Sequence, residues 1–243
     1  MDQRTMREFW DERASEDAFY FVDNRLHYGD PDLEAFWAGG REDLDRILER
    51  LGIGVRPTDD VVEIGCGIGR ITRVLAERSA SVRALDVSDR MLELAREHNP
   101  LLENVAWIHG DGNSLTGVES ESADVCFSHV VFQHIPDPEI TLGYVREMGR
   151  VLRAGGWAAF QISNEPAIHG RRPLAERLRS MPGRVLGRRP RGQGHAAWLG
   201  SAVELEALRV AATDGGNSVE RVTGAGTQWC LVLLRKGGTP ASR

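Results

Sequence analysis

Val61-Val62-Glu63-Ile64-Gly65-Cys66-Gly67-Ile68-Gly69-Arg70-Ile71 passes from a short apolar run through three alternating glycines into a stretch with helical spacing. The apolar run is too short for a buried helix and reads as a buried strand. Glycines let the backbone turn sharply and let a ligand come close, since no Cβ stands in the way. The first N–H groups of the following helix have no intrahelical partner, so the turn also presents hydrogen-bond donors.

Outward from this turn the same rhythm continues. Apolar runs at Val82 to Val87, Val105 to His109, Ala123 to Ser128 and Trp157 to Ser163 alternate with amphipathic stretches at Gly69 to Arg78, Asp89 to His98 and Pro138 to Leu152. Strands alternating with helices predict right-handed crossovers and a mostly parallel sheet. Asp137 is placed to cap the helix that starts at Pro138. Ser201-Ala202-Val203-Glu204 has the pattern of a capping box opening a further helix. Val219 to Gly224 and Thr227 to Leu234 are close enough in sequence to form an antiparallel hairpin. The expected fold is therefore α/β, a Rossmann-like doubly wound seven-stranded sheet, mostly parallel, with an antiparallel C-terminal hairpin and helices on both faces.

Two helical stretches precede the sheet, Thr5 to Phe21 and Leu33 to Leu51, the second ending at Gly52 and Gly54. The expected organisation is an N-terminal helical cap (1–54), a Rossmann-like core (55–163), an arginine-rich insertion or lid (164–200), a C-terminal helix and hairpin completing the core (201–236), and a disordered tail (237–243). Between residues 171 and 191 the insertion carries Arg171, Arg172, Arg177, Arg179, Arg184, Arg188, Arg189 and Arg191 against the single acid Glu176.

With 243 residues, of which 41% are hydrophobic, the chain can bury a sizeable core. A net charge of −6 disfavours nucleic acid or anionic membrane as the main partner. No apolar run approaches the roughly 20 residues that span a bilayer, and the charged start does not read as a signal peptide, so a cytoplasmic protein is expected. Cys66, Cys126 and Cys230 lie far apart with no CxxC pairing, which gives no metal site and no disulfide framework.

The glycine spacing is GxGxG rather than the GxGxxG of dinucleotide-binding folds, and an acid, Glu63, precedes it. A carboxylate there suits a ligand bearing an ammonium and a sulfonium better than a pyrophosphate. Asp86 ends the next strand, where a carboxylate can accept from both hydroxyls of a ribose. At these residues the chain resembles the class I S-adenosylmethionine-dependent methyltransferases of the small-molecule type. The likeness extends to Gly110-Asp111-Gly112 after the third strand, to Phe127-Ser128-His129-Val130 at the end of the fourth, and to Glu147 through Trp157. It is strong from about residue 55 to 163.

The resemblance implies S-adenosylmethionine as cofactor, leaving as S-adenosylhomocysteine, and implies no metal. It places the cofactor at Glu63, Gly65, Cys66 and Gly67, with the backbone at Ser128 helping to hold the methionine part, the ribose at Asp86, and the adenine at Val87, Met91, Asp111 and Gly112. The implied activity is methyl transfer to an O, N or C atom of a small-molecule acceptor by a monomer or homodimer. Ser128-His129-Val130-Val131 stands where enzymes acting on nucleic-acid or amide nitrogens carry an Asn or Asp, two prolines and an aromatic residue, so those acceptors are not expected. His134 in Gln133-His134-Ile135-Pro136-Asp137 is the candidate general base, the alternative being a packed histidine that bonds within its loop. His195 and Trp198 are candidates for the acceptor pocket, with loop anchoring as the alternative. Intact cofactor residues are equally compatible with a non-methylating enzyme of the same fold, of cyclase or lyase type, and with a non-catalytic cofactor-binding subunit.

Overall fold

The computed structural model describes residues 3–169, 192 and 194–238. Two helices come first, α1 (Gln3–Val22) and α2 (Leu33–Leu51). They are followed by β1 (Asp60–Ile64), α3 (Thr72–Arg78), β2 (Ser81–Asp86), α4 (Asp89–His98), β3 (Val105–His109) and β4 (Ala123–Ser128). Then come a 3-10 turn (Phe132–His134), α5 (Pro138–Val151), β5 (Leu152–Ile162), a second 3-10 turn (Pro166–His169), α6 (Ala196–Leu199), α7 (Leu205–Asp214), β6 (Asn217–Thr223) and β7 (Cys230–Lys236).

The strands form one sheet in the order β3-β2-β1-β4-β5-β7-β6. The first five run parallel, and β7 is antiparallel to both β5 and β6. This is the expected seven-stranded doubly wound sheet with its C-terminal hairpin. Alternation along each strand sends neighbouring side chains to opposite faces. Val62, Cys126, Ala158 and Phe160 pack on the side of α5 and α7, while Val61, Val125, Phe127 and Ala159 pack on the side of α2 and α3. Strand order reverses at β1, which lies between β2 and β4, so a crevice opens at the carboxyl ends of these strands.

Helix ends follow the sequence where a cap is present. Asp32, Ser88 and Asp137 each accept a backbone N–H of the first turn of α2, α4 and α5, and α2 stops at Gly52 in the left-handed conformation. Other boundaries shift for definite reasons. The helix after the glycine turn starts at Thr72 rather than Gly69, because Gly69 has φ +88 and cannot be helical. The capping box at Ser201 does not form. The Ser201 hydroxyl donates to the Ile135 carbonyl at 2.7 Å, the Val203 N–H bonds the Ser163 carbonyl, and α7 begins only at Leu205 without a side-chain cap. In α1, Asp17 is extended rather than helical, and its carboxylate accepts from the Tyr20 and Gly29 N–H groups.

The expected arginine-rich stretch 171–191 and the end of the tail, 239–243, lie outside the described residues.

Candidate functional site

The glycine turn lies at the crevice. Gly65, Gly67 and Gly69 all have positive φ, which L side chains rarely adopt. At Gly65 a Cβ would stand 2.3 Å from Val131 Cγ2, and at Gly67 it would stand 2.9 Å from Val22 Cγ2. The turn is thus held between the loop after β4 and helix α1, and glycine is required by space as well as by dihedral angle. Val131 follows Val130, a β-branched residue at φ 57, a conformation that concentrates at functional sites because it must be held by its surroundings.

A narrow cavity of about 130 Å³ sits against this turn. Its walls are Glu63 and Ile64 from β1, the glycine turn with Cys66, Leu85 and Asp86 from β2, Val87 and Met91 beyond it, Gly110 and Gly112 after β3, and His129 to Val131 after β4. Helix α1 closes it with Met6, Trp10, Phe21 and Val22. Asp11 fixes that helix over the cavity, its carboxylate accepting from the Ser88 hydroxyl at 2.6 Å and the Arg90 N–H at 3.1 Å at the start of α4.

Two carboxylates lie in these walls. Glu63 is buried and accepts the Thr72 hydroxyl at 2.5 Å. Burial, reinforced by Asp86, pushes its carboxyl up to about 7. Asp86 accepts the Gly67 N–H at 2.8 Å and the Ser88 N–H at 2.9 Å, and burial raises its carboxyl as well. Each Asp86 oxygen keeps lone-pair capacity for a further donor. The cation on the wall, Arg70, is already drawn to Asp43 at 2.8 Å and Asp23 at 3.4 Å. Cys66 is buried with its thiol pushed up, consistent with a small apolar wall residue, and Cys126 and Cys230 are free and lie in the core.

His134 lies where this cavity meets a wider outer cleft of about 750 Å³, and it lines both. Its Nδ1–H donates to the Trp198 carbonyl at 2.9 Å, which leaves Nε2 unprotonated and accepting weakly from the Gln133 amide at 3.3 Å. Trp10 and Trp198 flank the ring, and burial pushes the imidazole down to about 4, so it is neutral at physiological pH. Trp198 also lines the outer cleft, packed edge-on against Phe21.

Three expected site residues are not brought to the cavity. Asp111 turns back on its own loop, accepting from the N–H groups of Asn113 and Ser114 and from the Ser114 hydroxyl, and these bonds hold its carboxylate below the usual range despite burial. Ser128 is buried and donates to the Ile64 carbonyl at 2.9 Å, tying β4 to β1. His195 accepts the Ala197 N–H as the cap of α6 and stacks on Phe9 at 4.5 Å, the anchoring role. Conversely, Tyr144 of α5 reaches the inner cavity, although its place in an amphipathic helix reads as core. Among the described residues no group of three or more His, Cys, Asp or Glu side chains could hold a metal ion, and no helix is long and apolar enough to cross a membrane.

Comparison with known proteins fits this architecture. Residues 62–160 match the family described as a methyltransferase domain. The chain is 32% identical over 108 residues to a ubiquinone biosynthesis O-methyltransferase of Nitrosospira multiformis, covering 43% of each chain. It is 30% identical over 119 residues to a demethylmenaquinone methyltransferase of Staphylococcus aureus, covering 48% of each. The matched stretch is therefore less than half the length of these relatives. The fold is similar to that of Haemonchus contortus phosphoethanolamine N-methyltransferase 1, solved with phosphoethanolamine and S-adenosylhomocysteine. That likeness has a TM-score of 0.67 at 19% identity and covers 99% of this chain and 50% of the other.

Proposed function

We propose that the chain, whose residues 62–160 match the methyltransferase-domain family, is an S-adenosylmethionine-dependent methyltransferase acting on an O, N or C atom of a small molecule. The observation that carries this reading is the pair of carboxylates, buried Glu63 and half-buried Asp86, on the walls of one cavity whose nearby cation, Arg70, is already committed to Asp23 and Asp43. Such a wall is electrostatically incomplete, and a ligand bearing an ammonium completes it. Glu63 would hold that ammonium. Asp86 would take the ribose hydroxyls beside the N–H groups of the glycine turn. Val87, Met91 and Gly112 would line the adenine, and Tyr144 lies in the same cavity as a hydroxyl-bearing wall residue that Asp111 does not replace.

When bound, the cofactor supplies a methyl group on a positively charged sulfur. The protein's task is to align the acceptor and keep water out. Trp10, Phe21 and Val22 of α1 cover the cavity and serve the second need. His134 stands at the passage to the outer cleft with Nε2 free of a proton, so it can take one from an acceptor hydroxyl or amine once the Gln133 amide moves aside. Its depressed basicity makes it a weak base, suited to a proton released only as the new bond forms.

Titration calorimetry with S-adenosylhomocysteine tests this reading. One ligand should bind per chain, and a folded chain that gives no binding would refute it.

A further inference from the structure

The outer cleft differs in character from the inner cavity. Its walls carry Arg25, Arg46, Arg50 and Arg70 against Asp23 and Asp43, an excess of positive charge beside a cavity walled by carboxylates. The two acids are already served from within. Asp43 accepts from Arg25 at 2.7 Å and from Arg70 at 2.8 Å, and Asp23 accepts from Arg25 at 2.6 Å. Arg46 adds a bond to Asp43 at 2.8 Å that is not needed to neutralise it, and Arg50 has no ion pair among the described residues. Arg46 and Arg50 are one turn apart on α2, so they share a face, and both are exposed at the cleft. Two guanidinium forks in that relation match the oxygens of a carboxylate or phosphate.

Deeper in the cleft is a polar group without a partner. Gln161 on β5 is 1% exposed. Its amide nitrogen donates to Gln133 Oε1 and to the Gln228 carbonyl, each at 2.7 Å. A backbone carbonyl can only accept, so the amide cannot be flipped, and its oxygen is left buried with nothing donating to it. A buried acceptor of that kind costs free energy until a donor arrives. Apolar side chains line the same cleft, among them the rings of Phe21, Trp198 and Trp229.

We infer that the outer cleft selects a small anionic acceptor, its carboxylate or phosphate held by Arg46 and Arg50, a flat apolar body against Trp198 and Trp229, and a hydroxyl or amine donating to Gln161 Oε1. His134 borders this cleft, so the acceptor's reactive group lies on the path to the inner cavity. This inference rests on the methyltransferase reading and names its substrate class.

The test is calorimetry on the full chain first saturated with S-adenosylhomocysteine, titrated with three probes that share a catechol ring: 3,4-dihydroxybenzoate, its neutral amide 3,4-dihydroxybenzamide, and the cation dopamine. The acid should bind at least tenfold more tightly than the amide, with dopamine weakest. A chain carrying Arg46→Gln and Arg50→Gln should bind acid and amide alike while its affinity for S-adenosylhomocysteine is unchanged. The inference is overturned if the amide or dopamine binds as tightly as the acid, if none of the three binds to the loaded protein, or if the double variant keeps the preference. Loss of S-adenosylhomocysteine binding by the wild-type chain would instead refute the cofactor reading.

Discussion

With Glu63 holding the ammonium as proposed, cofactor binding should be proton-linked, and the size of the effect follows from the surroundings of Glu63. Its carboxyl is pushed up to about 7 from an ordinary 4.5, which corresponds to about 3 kcal/mol in favour of the protonated acid. The sign is fixed by linkage. The free protein binds this proton more tightly than the unfolded chain does, so the contribution to stability is present below pH 4.5 and is lost as the pH rises through about 7. A bound ammonium restores the carboxylate to its ordinary range and must expel the proton. At pH 6 binding of S-adenosylhomocysteine, which keeps the ammonium, should release close to one proton. Its affinity should fall roughly 50- to 100-fold from pH 8 to pH 5. The proton count is read by calorimetry in two buffers of different ionisation enthalpy. Glu63→Gln keeps an oxygen for the Thr72 hydroxyl, so the variant should fold, bind without proton release, and show at pH 8 the weak affinity of the wild type at pH 5. Binding that is independent of pH between 5 and 8, with no proton exchanged, would refute the reasoning.

Other expectations follow from the same geometry. Asp86→Ala removes the acceptor for the Gly67 and Ser88 N–H groups and for the proposed ribose contact, and should weaken S-adenosylhomocysteine by roughly 1.5 to 3 kcal/mol in the same calorimetric assay. Gly65→Ala places a Cβ 2.3 Å from Val131 in a backbone region that alanine rarely adopts, and chemical denaturation should report a loss of about 1 to 3 kcal/mol. His129 and His134 are both pushed down to about 4 by burial. The unfolded chain therefore takes up protons first, and their contribution to stability is lost as the pH falls from about 6.5 to 4. His129→Asn should flatten that acid limb in pH-dependent unfolding. If His134 is the base, turnover at saturating substrate should fall in His134→Ala without loss of cofactor affinity, and the wild-type profile should break near 4 instead of 6.5.

The sheet and the glycine turn were readable because local rules and tertiary structure agree there. Apolar runs, the cap at Asp137, and the glycines of the turn each carry their own signal. Glu63 and Asp86 were found by position, at the ends of adjacent strands. Asp111 folds its own turn, since an aspartate after a strand serves equally well there, and its donors at Asn113 and Ser114 are themselves ordinary loop residues. Ser201 matched a capping box whose hydroxyl is claimed by a carbonyl 66 residues away. The outer cleft was illegible for a different reason. Gln161, Trp229 and the pair Arg46 and Arg50 stand far apart in the chain, and only the packing of α2 beside β5 and β7 gathers them. Trp10 and Phe21 of α1 serve as core and cavity wall together.

The most direct test of the central claim is a crystal structure of the full chain grown with S-adenosylhomocysteine. The ligand should lie in the inner cavity, its ammonium within hydrogen-bond reach of Glu63 and its ribose hydroxyls within reach of Asp86. Clear density for the ligand elsewhere, or an inner cavity free of it in crystals of a folded chain at saturating ligand, would contradict the account.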